Sequence, residues 1–226
     1  MTQDEYRILL RDYNQSLTYH ARVSGRYKYF CMTVPKSACT TLKAVLLEIE
    51  DEPLPNNISG FHLAGTRLDD LPDHIGIEAL TNWYKFAFVR NPYSRILSAY
   101  KSKIISDKDG AYQKVRDNIG PIDFGGFVEW VSRRPDELRD PHWRSQTNIL
   151  MTHILKYDFI GMMEFFTIDL NFILAEIGAP TYGAFDKLNK TEPIENPYTP
   201  EIAEMVYSIY EKDFAFGYDW ESYDLL

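Results

Sequence analysis

The sequence predicts an α/β fold, with a central and mostly parallel sheet flanked by helices in a three-layer arrangement. Two observations carry that expectation. Short runs rich in β-formers alternate with segments whose apolar residues recur at helical spacing. The chain has 226 residues, 45% hydrophobic and 25% charged, which suits one α/β domain with a sizeable core.

The elements follow in order. The first 26 residues are polar and predict at most a short helix ahead of the core, which is expected over about 27–218 of a single domain spanning 1–226. Residues 27–34 (Tyr-Lys-Tyr-Phe-Cys-Met-Thr-Val), bounded by Gly25 and Pro35, read as a strand. Leu42, Val45, Leu46 and Ile49 share one face of a helix over 40–49, and a loop rich in Pro and Asn follows over 51–60. A second buried strand over 85–90 stops at Asn91-Pro92, and Pro92 suits the first turn of a helix anchored by Ile96, Leu97 and Tyr100. Residues 106–126 read as loop, 127–132 as the start of a helix, and 159–165 as a third strand. A helix over 168–177 ends at Gly178, 193–200 is turn-rich, and 200–210 reads as a last helix.

The formal net charge of -9 argues against a broad basic face for nucleic acid, and no basic run points to a membrane surface. Local donors can still hold one small anion. Aromatic residues make up 15%, with 16 Tyr and 13 Phe, which favours large buried rings and a pocket able to stack on a ring. Cys31 and Cys39 form no framework of pairs and read as free thiols of a reducing compartment. Residues 1–12 are charged with no apolar core of a signal peptide, and no apolar run approaches the roughly 20 residues that span a bilayer. The expectation is a cytoplasmic protein. No His/Cys/Asp cluster has metal-ligand spacing.

Pro35-Lys36-Ser37-Ala38-Cys39-Thr40-Thr41 sits between a predicted strand and a predicted helix. There the N–H groups of the helix's first turn converge and the helix dipole favours an anion. Small side chains let a ligand approach the backbone, Thr40 and Thr41 add hydroxyls, and Lys36 adds a mobile cation. The loop is P-loop-like in its physics but lacks the Walker glycines and the Lys-Ser/Thr ending. Taken alone, it fits an ordinary strand-to-helix turn with a solvated lysine equally well.

A second segment, Arg90-Asn91-Pro92-Tyr93-Ser94-Arg95 with Ser98 eight residues after Arg90, supplies a partner. An arginine at a strand end and a serine about two turns into the next helix can grip one phosphate from two sides. Arg95 is expected at the surface.

With both segments in order, the chain resembles sulfotransferases that use the nucleotide phosphosulfate PAPS. The first loop resembles their 5′-phosphosulfate loop, and the Arg90 segment with Ser98 resembles their 3′-phosphate motif. Within that superfamily the chain is most similar to the carbohydrate group related to the HNK-1 and chondroitin enzymes (sulfotransferase family 2). His142-Trp143-Arg144-Ser145-Gln146, Tyr157-Asp158-Phe159-Ile160-Gly161 through Glu164, Asn189-Lys190-Thr191, and Tyr210-Glu211-Lys212-Asp213-Phe214 through Tyr218 resemble its later motifs.

The resemblance implies transfer of a sulfuryl group from PAPS to an acceptor hydroxyl, on a carbohydrate or a small molecule, with release of PAP. It implies that Lys36, Ser37, Ala38, Cys39, Thr40 and Thr41 hold the 5′ side and that Arg90 and Ser98 hold the 3′-phosphate. Asn189-Lys190-Thr191 fits equally a plain turn and a segment that closes over the nucleotide with Asn189 and Thr191. His62 is expected to act as base with Lys36 as the catalytic cation, since histidine ordinarily titrates near neutrality. His142 is the other candidate. His74 is expected to be exposed, Glu48 and Glu50 solvated, and the aromatic tail (Phe214, Phe216, Tyr218, Trp220) part of the packing. Two other readings are a kinase-like phosphotransferase, which the missing Walker pattern disfavours, and a nucleotide-binding module without turnover. The acceptor and the oligomeric state are not written in the sequence.

Overall fold

The computed structural model describes residues 1–13, 15–107, 110–119, 123–183 and 196–225. In chain order the elements are α1 (Gln3–Asp12), β1 (Ala21–Ser24), β2 (Tyr29–Met32), α2 (Cys39–Ile49), α3 (Ile58–Leu63), α4 (Asp73–Thr81), β3 (Tyr84–Val89) and α5 (Pro92–Ala99). They continue with α6 (Gln113–Ile119), α7 (Phe124–Ser132), α8 (Gln146–Ile149), β4 (Phe159–Met162), α9 (Phe166–Glu176) and α10 (Pro200–Phe214). The chain forms two compact units, residues 1–89 with 149–189, and residues 90–148 with 190–226.

The first unit holds a mixed four-stranded sheet in the order β1-β2-β3-β4. β1 pairs antiparallel with β2 (Ala21 opposite Met32), while β2 with β3 and β3 with β4 are parallel (Cys31 opposite Phe86, Phe88 opposite Gly161). All four residues of β2 are buried, as expected for an inner strand covered on both faces. Leu42, Val45, Leu46 and Ile49 of α2 pack with Tyr29, Phe86 and Phe88 of the sheet and with Leu170, Ile173 and Leu174 of α9. The predicted helix face is therefore the buried one. Gly178 takes φ 69, the left-handed conformation that ends α9.

The second unit is helical and aromatic. Tyr93, Ile96 and Tyr100 pack with Phe124 and Phe127 of α7, with Trp143, and with Val206, Tyr210 and Phe214 of α10. Much of the chain's aromatic content is used here. Asn91 caps α5 by accepting from Tyr93 N at 2.9 Å, and its amide donates to Ser222 Oγ at 2.6 Å. The Tyr93 hydroxyl donates to Trp220 O at 2.6 Å. Asn-Pro-Tyr is thus a helix start whose cap and first ring are both tied to the C-terminal turn.

Several boundaries differ from the sequence expectation. The sheet starts earlier, because β1 lies inside the segment expected to precede the core. Ala-Arg-Val-Ser alternates apolar and polar residues over only four positions, and its buried Arg22 donates to four carbonyls. α6 occupies part of 106–126, α7 begins at Phe124, and α4 precedes β3. The third strand ends at Met162, where a 3-10 turn (Met163–Phe165) takes over and Asp169 accepts from Met162 N at 2.7 Å. α10 runs on to Phe214 across a kink at Tyr210. Phe214 is core, whereas Trp220 is exposed and only its carbonyl is used.

Gly161 is set by packing. A Cβ there would lie 2.6 Å from the ring of Phe88 on the neighbouring strand. Gly161→Val is expected to destabilise the protein by about 1–3 kcal/mol through overpacking, read as a lower midpoint in denaturant with unchanged slope.

Candidate functional site

The first loop is strained. Lys36 (φ 70) and Ala38 (φ 56) both adopt left-handed backbone, where side chains cost on the order of 1–2 kcal/mol each. No glycine relieves them. Ser37 lies between them, 1% exposed, with its N–H bonded to Val34 O at 3.2 Å. Ala38 is the N-cap of α2 without a side-chain cap, so the first turn of α2 has its N–H groups beside the Lys36 turn. Thr40 and Thr41 are buried and Cys39 is a half-buried free thiol. This backbone geometry supports an anion cradle with a half-buried lysine at its rim.

His62, in the last turn of α3, belongs to the same unit. Its ring stacks on Tyr19 (centroids 5.8 Å apart, planes at 18°), and Lys43 places its ammonium 5.7 Å from the Tyr19 ring. Arg22 ties the segment down: its guanidinium donates to His62 O (2.7 Å), Ala64 O (2.9 Å), Tyr19 O (3.1 Å) and Ala21 O (2.6 Å). One arginine therefore fixes the backbones on both sides of the His62–Tyr19 stack. Burial pushes Lys43 down to about 8, with the nearby charge of Arg22 acting in the same direction.

Arg90 directly follows β3 and opens the second unit. Its Nε donates to Ser94 Oγ at 2.8 Å, and Ser94 Oγ donates to Asn91 O at 3.2 Å. Ser98 is buried one turn beyond Ser94, on the same side of α5. Lys101, one further turn along, is half-buried in a widened helical segment (Tyr100–Ile105). Its pKa is pulled down by burial and then by the charge of Arg90. An anion joining them would relieve the part of that shift that comes from Arg90.

The backbone of Arg90 is held by Gln146. Arg90 N donates to Gln146 Oε1 at 2.9 Å, and Gln146 Nε2 donates to Arg90 O at 2.8 Å. Gln146 is 0% exposed, and its own N–H donates to Asp213 Oδ2 at 2.7 Å. Asp213, also fully buried, further accepts from Thr147 N (2.9 Å) and Thr147 Oγ1 (3.0 Å). Burial pushes the Asp213 carboxyl up, against those bonds and the charge of Arg95. The Tyr210 hydroxyl donates to Trp143 O at 2.6 Å. The His-Trp-x-x-Gln and Tyr-x-x-Asp-Phe segments, distant in sequence, therefore form one clasp.

Arg95 corrects an expectation: it is 1% exposed, not a surface residue. Its guanidinium donates to Arg144 O at 2.8 Å and Pro141 O at 2.9 Å, holding the irregular chain before Gln146. His142 accompanies it, with Nδ1 2.7 Å from Asp140 Oδ1 and 3.0 Å from the Tyr112 hydroxyl. Glu48 and His74 are exposed, while Glu50 is half-buried with Oε1 shielded from solvent.

Lys36, Ser37, Ala38, Cys39, Thr40, Thr41 and His62 belong to the first unit, and Arg90 and Ser98 to the second. Asn189 and Thr191 lie outside the described residues. Sequence reasoning missed Gln146 and Asp213 as supports of Arg90, and Lys43 and Lys101 as neighbours of the proposed groups. Their only sequence signal was membership of the later motifs or helical spacing from Ser98. Among the described residues no group of three or more His, Cys, Asp or Glu could hold a metal ion, and no helix is long and apolar enough to cross a membrane.

A mixed sheet with flanking helices, a strained strand-to-helix turn after β2 and a helix that starts just past β3 make this an α/β protein. The chain belongs to the sulfotransferase family, whose family model matches residues 19–219. It is similar to carbohydrate sulfotransferase 14 of Danio rerio, 30% identical over 190 residues, covering 76% of this chain and 52% of that protein. Human carbohydrate sulfotransferase 14 is 28% identical over 188 residues (76% and 50%), and human carbohydrate sulfotransferase 9 is 28% identical over 218 residues (79% and 48%). The chain spans about half the length of these curated relatives. No solved structure matches it significantly.

Lys43 makes a pH prediction. Its folded pKa, about 8, lies below the ordinary lysine value of 10.5, so the unfolded chain binds the extra proton between those values. Its contribution to stability therefore rises with pH across that window and is fully unfavourable below pH 8. Lys43→Met is expected to be more stable than wild type at pH 7 by up to about 3 kcal/mol, an advantage that shrinks towards pH 10 in paired denaturation curves.

Proposed function

We propose that this protein is a PAPS-dependent sulfotransferase with a three-layer, P-loop-like core, transferring a sulfuryl group to a carbohydrate hydroxyl. The observation that carries the reading is the pair of left-handed residues, Lys36 and Ala38, immediately before α2. Backbone strain without glycine is retained where the resulting geometry is used. Family membership and the names of the relatives support the acceptor class.

In this reading Lys36 neutralises the 5′-phosphate and the oxygen that leaves with it. Ser37, Ala38, Cys39, Thr40 and Thr41 hold the 5′ side through N–H and hydroxyl groups. Arg90 and Ser98 grip the 3′-phosphate, with Lys101 adding charge. Asn189 and Thr191, outside the described residues, are assigned to the nucleotide by the motif they belong to. His62 takes the proton of the acceptor hydroxyl as its oxygen bonds to sulfur. The bond from sulfur to the phosphate oxygen breaks, and that electron pair leaves with PAP beside Lys36. The Tyr19 stack and the Arg22 strut hold His62 for this step.

One observation favours a second base: His142 has its Nδ1 held by Asp140, the arrangement that orients an imidazole for proton transfer through its other nitrogen. Two free thiols, Cys31 and Cys39, support the reducing cytoplasm as the compartment.

Calorimetric titration tests the donor. Wild type is expected to bind PAP at micromolar strength, with 5′-AMP much weaker, and Arg90→Ala to lose at least ~10-fold for PAP, the worth of a charge-assisted phosphate contact. A folded wild type that does not bind PAP overturns the reading. Lys36→Ala is expected to lower turnover by ~100-fold or more, as removal of a charge-stabilising donor does. His62→Gln is expected to lower it by ~100- to 10,000-fold while leaving PAP affinity unchanged, and if His142→Gln does so instead, the base is His142.

A further inference from the structure

We propose that Gln146 is the positioning residue that sets the preference for a 3′-phosphorylated nucleotide, an inference that rests on the role of Arg90 proposed above. Arg90 stands one residue past the end of β3, where regular strand pairing has stopped. Its peptide groups are met by the two ends of one side-chain amide, Oε1 on its N–H and Nε2 on its carbonyl. This is the pairing a neighbouring strand supplies, delivered by a single glutamine. The orientation of the amide is dictated by its partners, since only the oxygen can accept from an N–H and only the nitrogen can donate to a carbonyl.

Gln146 is itself immobilised. It is fully buried, and its backbone N–H is held by the buried carboxylate of Asp213, which also takes both donors of Thr147. At the far end Ser94 takes the Nε of Arg90. Arg90 is thus fixed at its peptide by Gln146 and at its guanidinium by α5. A cation held this way binds a phosphate without paying to order itself, and it contributes only to ligands that carry that phosphate. Gln146 is not a catalytic residue. Its effect passes entirely through Arg90.

The test compares PAP with 5′-AMP, which differ at the 3′-phosphate alone, on wild type, Arg90→Ala, Gln146→Met and Gln146→Glu by calorimetry. Gln146→Met fills the same space without either hydrogen bond. It is expected to weaken PAP by ~10-fold or more while changing 5′-AMP by less than ~3-fold, so the preference collapses towards that of Arg90→Ala. Gln146→Glu carries a pH signature. Protonated, its carboxylic acid donates to Arg90 O and accepts from Arg90 N as glutamine does, whereas ionised it sets an oxygen against that carbonyl. Its preference relative to wild type at the same pH is therefore expected to recover as pH falls from 8 to 5.5. This variant keeps the test decisive if Gln146→Met does not fold. A preference within ~2-fold of wild type in a cooperatively melting Gln146→Met, or a Gln146→Glu preference that ignores pH, overturns the inference while Arg90→Ala still loses PAP. A wild type with no preference for PAP overturns the donor reading instead.

Discussion

The carboxylate of Asp213 is the point on which the second unit hangs. Removed from water, it is tolerable only because three donors from Gln146 and Thr147 converge on it. Those bonds start α8, α8 presents the Gln146 side chain, and that side chain fixes Arg90 where the sheet ends. The kink at Tyr210 lies one turn before Asp213, and the Tyr210 hydroxyl grips the same irregular stretch through Trp143 O. Removing the carboxylate would leave buried N–H groups unanswered, which is the costly side of the hydrogen-bond balance.

The same constraint governs the other arginines. Irregular chain carries carbonyls that no ladder or helix receives, and buried guanidinium groups receive them. Arg22 takes four, around the His62 segment, and Arg95 takes two, before Gln146. A protein with a formal charge of -9 thus places a few of its cations inside, as struts and as local positive field. Lys43 and Lys101 extend that pattern, each losing charge stability through burial and a neighbouring arginine.

Each unit orders its motif in a different way. The Lys36 turn holds left-handed residues that an ordinary connection would give to glycine, while Arg90 is over-determined by partners on its backbone and its side chain. For His62 the ordering elements are an aromatic stack and a backbone strut.

Local physics made much of this legible from residues alone. The 3.6-residue spacing of Leu42, Val45, Leu46 and Ile49 and the Pro92 start of α5 are short-range patterns, and each stands where it was read. β1 was hidden because its apolar/polar alternation is only four residues long and includes an arginine, whose burial depends in part on carbonyls 40 and 42 residues away. Arg95 was misread because an isolated arginine looks solvated until carbonyls some 46–49 residues away surround it. The sequence by itself determined the alternation of elements and the family. Only the tertiary structure decided that Gln146 and Asp213, 67 residues apart, form one support for Arg90, because that pairing is a contact between buried polar groups and leaves no period or composition for the sequence to show.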